Sequence, residues 1–408
     1  MSEAPAVEPA AAHEAWRRPW PLRLVLVLAG LSAFAPLTTD LYLPALPQIA
    51  RDYGVSAASV QVTLTASVLG IAAGQLLIGP LSDVLGRRRP LVAGLLLYIA
   101  ASLGCAAAPS VPALDLLRLV QGFAGAAGIV IARAMVRDMY SGLDAGRMYA
   151  ALSSVMALAP ILAPFVGAQL LLVTSWRGVF AVQGAIGLAL LAASLVVTHE
   201  TLAPAQRHPG SLRHTIVIYR ELLHHRRFMT FVAGGSLGFA CMFAYISASA
   251  FVYQSVLGLS PQTYGLLFAL NGGGLLAVNL LNARLMRSFP QEHLLQIGVR
   301  SLAVGGALIA VAAIAGRDWL LVPLLFLTVS SVGLVMANAV ALSMEGERER
   351  AGSASALFGM VQFAAGAAVA PLVGLAGASA VPMGIVMALA GAAAVIVLGT
   401  LGGPGIRR

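Results

Sequence analysis

Apolar residues run along this chain in long blocks separated by short polar breaks. Twelve blocks can cross a bilayer, near residues 23–45, 57–81, 90–109, 113–136, 149–173, 178–198, 228–256, 262–285, 293–314, 318–341, 353–376 and 381–401. A span needs about 20 apolar residues, and its backbone must satisfy its own hydrogen bonds in lipid. Each block therefore predicts an α-helix. The pattern changes once, at the middle, where residues 199–227 are polar, basic and rich in histidine. The expected organisation is a disordered cytoplasmic tail over 1–21, a six-helix bundle over 22–198, a cytoplasmic linker over 199–227, a second six-helix bundle over 228–402, and a short cytoplasmic tail over 403–408. The halves echo each other. Gly54-Val55-Ser56 precedes the second block as Gly258-Leu259-Ser260 precedes the eighth, and residues 282–288 take the place of the basic loop after the second block. The predicted fold is an all-α polytopic membrane protein with two parallel six-helix pseudo-repeats.

Composition agrees. The 408 residues are 59% hydrophobic and 10% charged, with a mean hydropathy of +0.88, whereas soluble chains carry about 25% charged residues. All 25 basic residues are arginine, which together with abundant Ala, Gly and Leu points to a GC-rich genome rather than to chemistry. The net charge of +9 raises nucleic acid as a partner, but no basic helix or aromatic-interleaved patch accompanies it. The arginines instead sit in short loops as a topology signal. With the N-terminus inside, the inner segments hold most of them, from Arg17 and Arg18 to Arg407 and Arg408, and the outer loops hold only Arg51, Arg177 and Arg317. Both termini are thus expected in the cytoplasm. Ala33-Phe34-Ala35 resembles a signal-peptidase site, but the apolar run continues past it, so an uncut span is expected. Cys105 and Cys241 lie within spans without metal or disulfide spacing and read as small core residues.

Two charges inside the spans change the picture. Asp40 lies in the first block, where a carboxylate in hydrocarbon costs roughly 2.5–3.5 kcal/mol on the mildest insertion scale. Arg118 lies in the fourth. At about 1.5 Å per residue, Asp40 falls about 25 Å from the inner end of its span and Arg118 roughly 8 Å from the outer end of an oppositely directed one. Both then fall in the outer half, where Arg118 can tune the proton affinity of Asp40 directly or through bridging groups. The plainer alternatives are a helix-end Asp40 in water and a snorkelling Arg118. Asp115, nearer the interface, reads as a solvated partner.

Three motifs surround these charges. The loop after the second span reads Gly79-Pro80-Leu81-Ser82-Asp83-Val84-Leu85-Gly86-Arg87-Arg88-Arg89, in which Asp83 can face a helix N-terminus and Arg87 and Arg88 can pair with Asp138. The bland alternative is an ordinary positive-inside loop, which the ordered string disfavours. In the fourth span, Arg118 and Gln121 share a helix face, and Gly122, Gly125 and Gly128 recur at close-packing spacing. In the fifth, Pro160, Pro164 and Gly167 predict a bent, closely packed helix, with or without a transport role. Asp40, Tyr42, Gln121, Tyr245, Asn271, Asn338 and Gln362 are the substrate-binding candidates; Tyr245, Asn271, Asn338 and Gln362, with Asn279, are the weaker polar ones, each about equally able to join helices. Met156, Met242, Met336 and Met360 can line an adaptable pocket but read better as core filler.

The string TTDLYLPALPQIA, the GPLSDVLGRRR loop, Arg137-Asp138, MALAPILAP, FALNGGG and AGSASALFG together resemble the major facilitator superfamily, and within it the Bcr/CflA group of drug:proton antiporters. The resemblance covers essentially all of residues 24–401. It implies proton-driven export of hydrophobic drugs similar to bicyclomycin or amphenicols across a bacterial inner membrane. It also implies Asp40 and Arg118 as the coupling pair, a gating latch at Gly79, Asp83, Gly86, Arg87, Arg88 and Asp138, and an antiporter helix at Pro160, Pro164 and Gly167. Some related exporters carry a second acid two turns before the first; here that position is Ser32. The expected partners are a small-molecule drug, protons and lipid, in a monomer with no cofactor and no metal. Alternatives are an exporter of a metabolite or self-made antibiotic, and a proton symporter. An enzyme is disfavoured, because all seven histidines lie in the tail or loops and no HExxH, GxGD or acidic metal pair occurs within a span. A non-transporting receptor would be told apart by flux.

Overall fold

The structure is a computed structural model that describes residues 22–204, 207, 212–347, 350–374, 377 and 379–401. The expected tails and part of the expected linker lie outside the described residues. The described chain is helical without strands. In order the helices are α1 (Leu22–Ser32), α2 (Phe34–Asp40), α3 (Leu46–Tyr53), α4 (Ala57–Leu85), α5 (Arg88–Ala106), α6 (Val111–Met139), α7 (Gly142–Leu170), α8 (Trp176–Val197), α9 (Leu212–His224), α10 (Arg226–Phe251), α11 (Pro261–Leu285), α12 (Gln291–Ile314), α13 (Leu321–Met344), α14 (Ala351–Gly374) and α15 (Ala380–Leu401). Eleven are long and apolar enough to cross a membrane, and the broken first span makes twelve.

The first span is not the continuous helix the pattern predicts. Pro36 has no N–H to give to the Ser32 carbonyl, and the Ser32 hydroxyl donates instead to the Leu28 carbonyl (2.9 Å), a bond that bends helices. α1 therefore stops at Ser32, α2 runs only to Asp40, and a 3₁₀ turn over Leu43–Ala45 follows. The fifth span differs too. α7 begins at Gly142, well before the apolar run, with Asp144 in its first turn, where the helix dipole favours an acid. The middle segment contributes its own amphipathic helix, α9.

The two repeats match in detail. Gly54 and Gly258 both take positive φ (64° and 67°). Ser56 and Ser260 then cap α4 and α11 by accepting from the Ser59 and Thr263 amides. Across the halves α4 packs against α14 and α7 against α11, while α6 and α10 are the most buried spans. Side-chain bonds join the halves at the arginine-poor end. Gln61 donates to the Ser247 carbonyl, Thr65 to Ala367, Gln254 to Pro44 and Gln262 to Ala168. At the arginine-rich end a cavity of about 360 Å³ separates α4 and α6 from α9 and α14.

Candidate functional site: a buried acid and base on an amide bridge

Asp40 is the last residue of α2 and is only 5% exposed. It is at a helix end, but not in water. The Thr39 hydroxyl donates to its Oδ1 (2.8 Å). Because α2 ends here, the carbonyls of its last turn lack intrahelical partners. Gln183 of α8 supplies one, its Nε2 donating to Leu37 O (2.7 Å) and, more distantly, to Thr38 O. Gln183 Oε1 in turn accepts from Gln121 Nε2 (2.8 Å), which also reaches the Ser102 hydroxyl. Gln121 Oε1 accepts from Arg118 Nη1 (2.6 Å). Two glutamines thus link Arg118 to the Leu37 and Thr38 carbonyls of the helix that ends at Asp40. Among the described residues no ion pair within 4 Å joins them, although the charge of Arg118 acts on Asp40.

Arg118 does not snorkel: it is fully buried. Its guanidinium lies 4.1 Å from the centre of the Tyr42 ring and 5.5 Å from that of Phe180, a cation–π seat that suits a plane better than an ammonium. Nε and Nη2 have no hydrogen-bond partner among the described residues. Tyr42 is fully buried, and its hydroxyl pairs with Thr63, so it supports Arg118 rather than facing an open pocket. Asp115, one turn away, is half-buried, with Oδ1 unpartnered among the described residues.

The second half brings an aromatic cluster to the same level. Asn271 donates to the hydroxyls of Tyr245 (2.8 Å) and Tyr253 (3.2 Å), and Phe268 stacks on Tyr245. Tyr264 pairs with Ser249 and feels the charge of Asp40. Of the remaining candidates, Asn338 donates to Asn282 and joins α13 to α11 near the arginine-rich end, away from Asp40. Gln362 is partly buried on α14. Gln183, Ser102, Tyr253 and Tyr264 were not among the candidates. An uncharged amide inside the sixth apolar block was the available signal for Gln183.

Gly167 explains why the fifth-span motif sits beside this site. A Cβ there would collide with the Leu41 backbone, the residue following Asp40, so only glycine lets α7 approach the end of the first span. Pro160 and Pro164 lie inside α7, which continues through them as one helix.

The latch loop is assembled within the first half. Arg87 Nε donates to Asp138 (2.8 Å) and Nη1 to Asp83 (2.6 Å) and the Ser82 hydroxyl (2.8 Å). Arg87 is nearly fully buried. Burial opposes its charge, but the hydrogen bonds to Asp138 and Asp83 outweigh it and hold its pKa above the ordinary value. Arg88 donates to the Leu195 carbonyl instead of to Asp138. Gly79 lies on the wall of the arginine-rich cavity. An unforeseen acid, Glu200, accepts from the amides of Arg87 and Arg88 at the start of α5, where the dipole favours an anion. Burial works against its charge, yet the Arg87, Leu202 and Arg88 amides, with Arg207, hold its carboxyl below the usual range. That stabilisation is present at neutral pH and is lost only as pH falls through the lowered value.

Gly86 has a φ of +87°, and a Cβ there would press on the Glu200 carboxyl carbon at 2.8 Å. Gly86→Ala should destabilise the purified protein by about 1–3 kcal/mol, read as a lower thermal midpoint in detergent. An unchanged midpoint would remove the conformational role given to Gly86.

Two repeats of six spans around a buried acid and base define a membrane carrier. The chain matches the family model "Major Facilitator Superfamily" over residues 28–371 and belongs to that superfamily. It is 37% identical over 371 residues to an uncharacterized MFS-type transporter, YdgK, of Bacillus subtilis (strain 168), covering 89% of this chain and 91% of that protein. It is 31% identical over 354 residues to a bicyclomycin resistance protein homolog of Haemophilus influenzae, covering 86% and 88%. It is also 31% identical over 325 residues to a chloramphenicol resistance protein of Pseudomonas aeruginosa, covering 79% and 75%. These names bear out the resemblance to the Bcr/CflA drug-efflux group. Among solved structures it is similar to the partially occluded, inward-open xylose transporter XylE of E. coli, with TM-score 0.72 and 14% identity over 93% of this chain and 97% of that one. A bacterial homolog of the human lysosomal transporter Spinster, inward-facing and unoccupied, gives 0.71 and 16% over 94% and 96%.

Proposed function

We propose that this protein exports small hydrophobic drugs across the bacterial inner membrane in exchange for protons, by alternating access. The observation that carries the reading is Asp40: a buried carboxylate at the end of a broken span, whose helix backbone is held through two amides by a buried arginine. Asp40 takes up and releases the proton. Arg118 sets its affinity, and a change in the Gln121–Gln183 bridge as the first span moves alters that setting. The arginine-rich end faces the cytoplasm, by the positive-inside rule, so a bundle joined at the other end is inward-facing. The aromatic cluster of Tyr245, Tyr253 and Asn271 supplies the second half's share of the drug site, in keeping with relatives named for bicyclomycin and chloramphenicol resistance. The protein works as a monomer without a cofactor. The test is a susceptibility panel in an efflux-deficient host, followed by drug uptake into inside-out vesicles under an imposed pH gradient. Uptake that ignores the gradient would reject antiport.

The latch governs the other conformation. In the inward-facing state Asp83 and Arg87 pair within one half; closing the cytoplasmic end brings this loop toward α14. Removing Asp83 leaves Arg87 with Asp138 and Ser82, so the first half stays intact. Asp83→Asn should therefore slow maximal transport several-fold with little change in drug affinity, since the drug site is untouched and only the balance of states moves. Both quantities are measured on one purified variant. A large affinity loss at unchanged maximal rate would place Asp83 in binding instead.

A further inference from the structure

The cavity at the arginine-rich end carries charge that the coupling pair and latch do not account for. Arg133 lies on α6, about two turns inside the helix end at Met139, where a charge is costly to hold. It is exposed to the cavity. Its Nη2 points to the Met156 sulfur at 3.3 Å, a weak acceptor, and among the described residues no carboxylate pairs with it. Tyr149 anchors the same stretch of α6 by donating to the Arg133 carbonyl. The charged residues lining the cavity are Arg87, already paired with Asp138 at 2.8 Å, and Arg133 and Arg137, against Asp83 alone. That single carboxylate is itself neutralised by Arg87 at 2.6 Å and Arg137 at 3.8 Å. The facing wall, Tyr219 of α9 with Ser353 and Ser355 of α14, is uncharged. A cleft with low-dielectric walls and one sign of charge focuses its field into the opening and selects ions by sign.

We infer that Arg133 makes this vestibule a cation-excluding filter, so that the substrates are uncharged or anionic small molecules. The inference rests on the export reading for its direction, because the vestibule is the entry side only if drug leaves the cytoplasm. At about 10 Å, one unit charge changes the local concentration of an ion by roughly twofold in the aqueous limit and roughly fifteenfold in the near-surface limit. Arg133 therefore suffices to set the preference. It acts on approach, and its loss should alter which charges enter while leaving the Asp40 site intact.

The test has two arms. Ser355→Cys places a thiol on the vestibule wall of the full-length protein, whose own Cys105 and Cys241 are fully buried. In inside-out vesicles, a sulfonate-bearing methanethiosulfonate should label it roughly tenfold faster than a trimethylammonium one, after each is normalised to a free thiol. Arg133→Gln should bring that ratio close to one, Arg133→Lys should retain it, and Arg133→Glu should invert it. A ratio near one in the parent, or one indifferent to Arg133→Gln, overturns the filter. In the second arm the unsubstituted protein should transport chloramphenicol and not tetraphenylphosphonium, and Arg133→Glu should gain the cation. Equal transport of both by the unsubstituted protein overturns the substrate class. Should no drug move at all, the export reading fails, and the labelling ratio still decides the filter.

Discussion

Asp40→Asn is expected to abolish gradient-driven export, lowering uptake into inside-out vesicles at least about a hundredfold, without loss of folded protein. The substitution keeps the shape of the side chain, and its amide oxygen can still accept from the Thr39 hydroxyl that now reaches Oδ1. It removes only the capacity to bind and release a proton. Folding should not suffer, because a neutral amide is less costly than a carboxylate to bury at 5% exposure. Asp115 is half-buried, but it has no place on the amide bridge and cannot substitute. Drug binding should persist, and drug addition should no longer release protons from the detergent-solubilised variant. Undiminished resistance at equal expression would sink the coupling role of Asp40.

Arg118→Ala should stop transport as completely, and Arg118→Lys should retain a tenth of the activity or less. A lysine keeps the charge and loses the geometry. The guanidinium plane sits over the Tyr42 ring while Nη1 holds Gln121, and an ammonium cannot satisfy both from one atom. Without that hold, Gln121 and Gln183 lose their fixed orientation, and the Leu37 carbonyl at the end of the first span loses its donor. The pH dependence of export is the discriminating measurement, because a merely supporting arginine would lower the rate without moving the profile. A lysine variant with unchanged profile would rule out the geometric role. Gln183→Leu breaks the same chain without touching either charge and should shift the profile in the same sense as Arg118→Lys.

The sequence by itself determined the spans, the two repeats and the Arg87–Asp138 pairing, for a physical reason. A bilayer imposes length and apolarity on every span, and turn residues such as Gly54 and Gly258, with their serine caps, act within a few positions of themselves. Such signals are local and survive being read in one dimension. Arg87 and Asp138 were legible as partners because both sit at one end of adjacent spans, where only neighbours are within reach. Asp40 and Arg118 were legible as costly charges, but not how they communicate. A polar side chain inside a span can face lipid, a neighbour or a cavity, and helix rotation decides which. Only the tertiary structure brought Gln121, Gln183 and Ser102 from three spans to one point. It made Tyr42 a platform for Arg118 and sent Asn338 to Asn282. The helix end at Asp40 decided the rest. Pro44 has no N–H for the Asp40 carbonyl, so the helix ends there. That freed the Leu37 carbonyl that Gln183 now holds and brought the amides of the buried base to the helix that carries the buried acid.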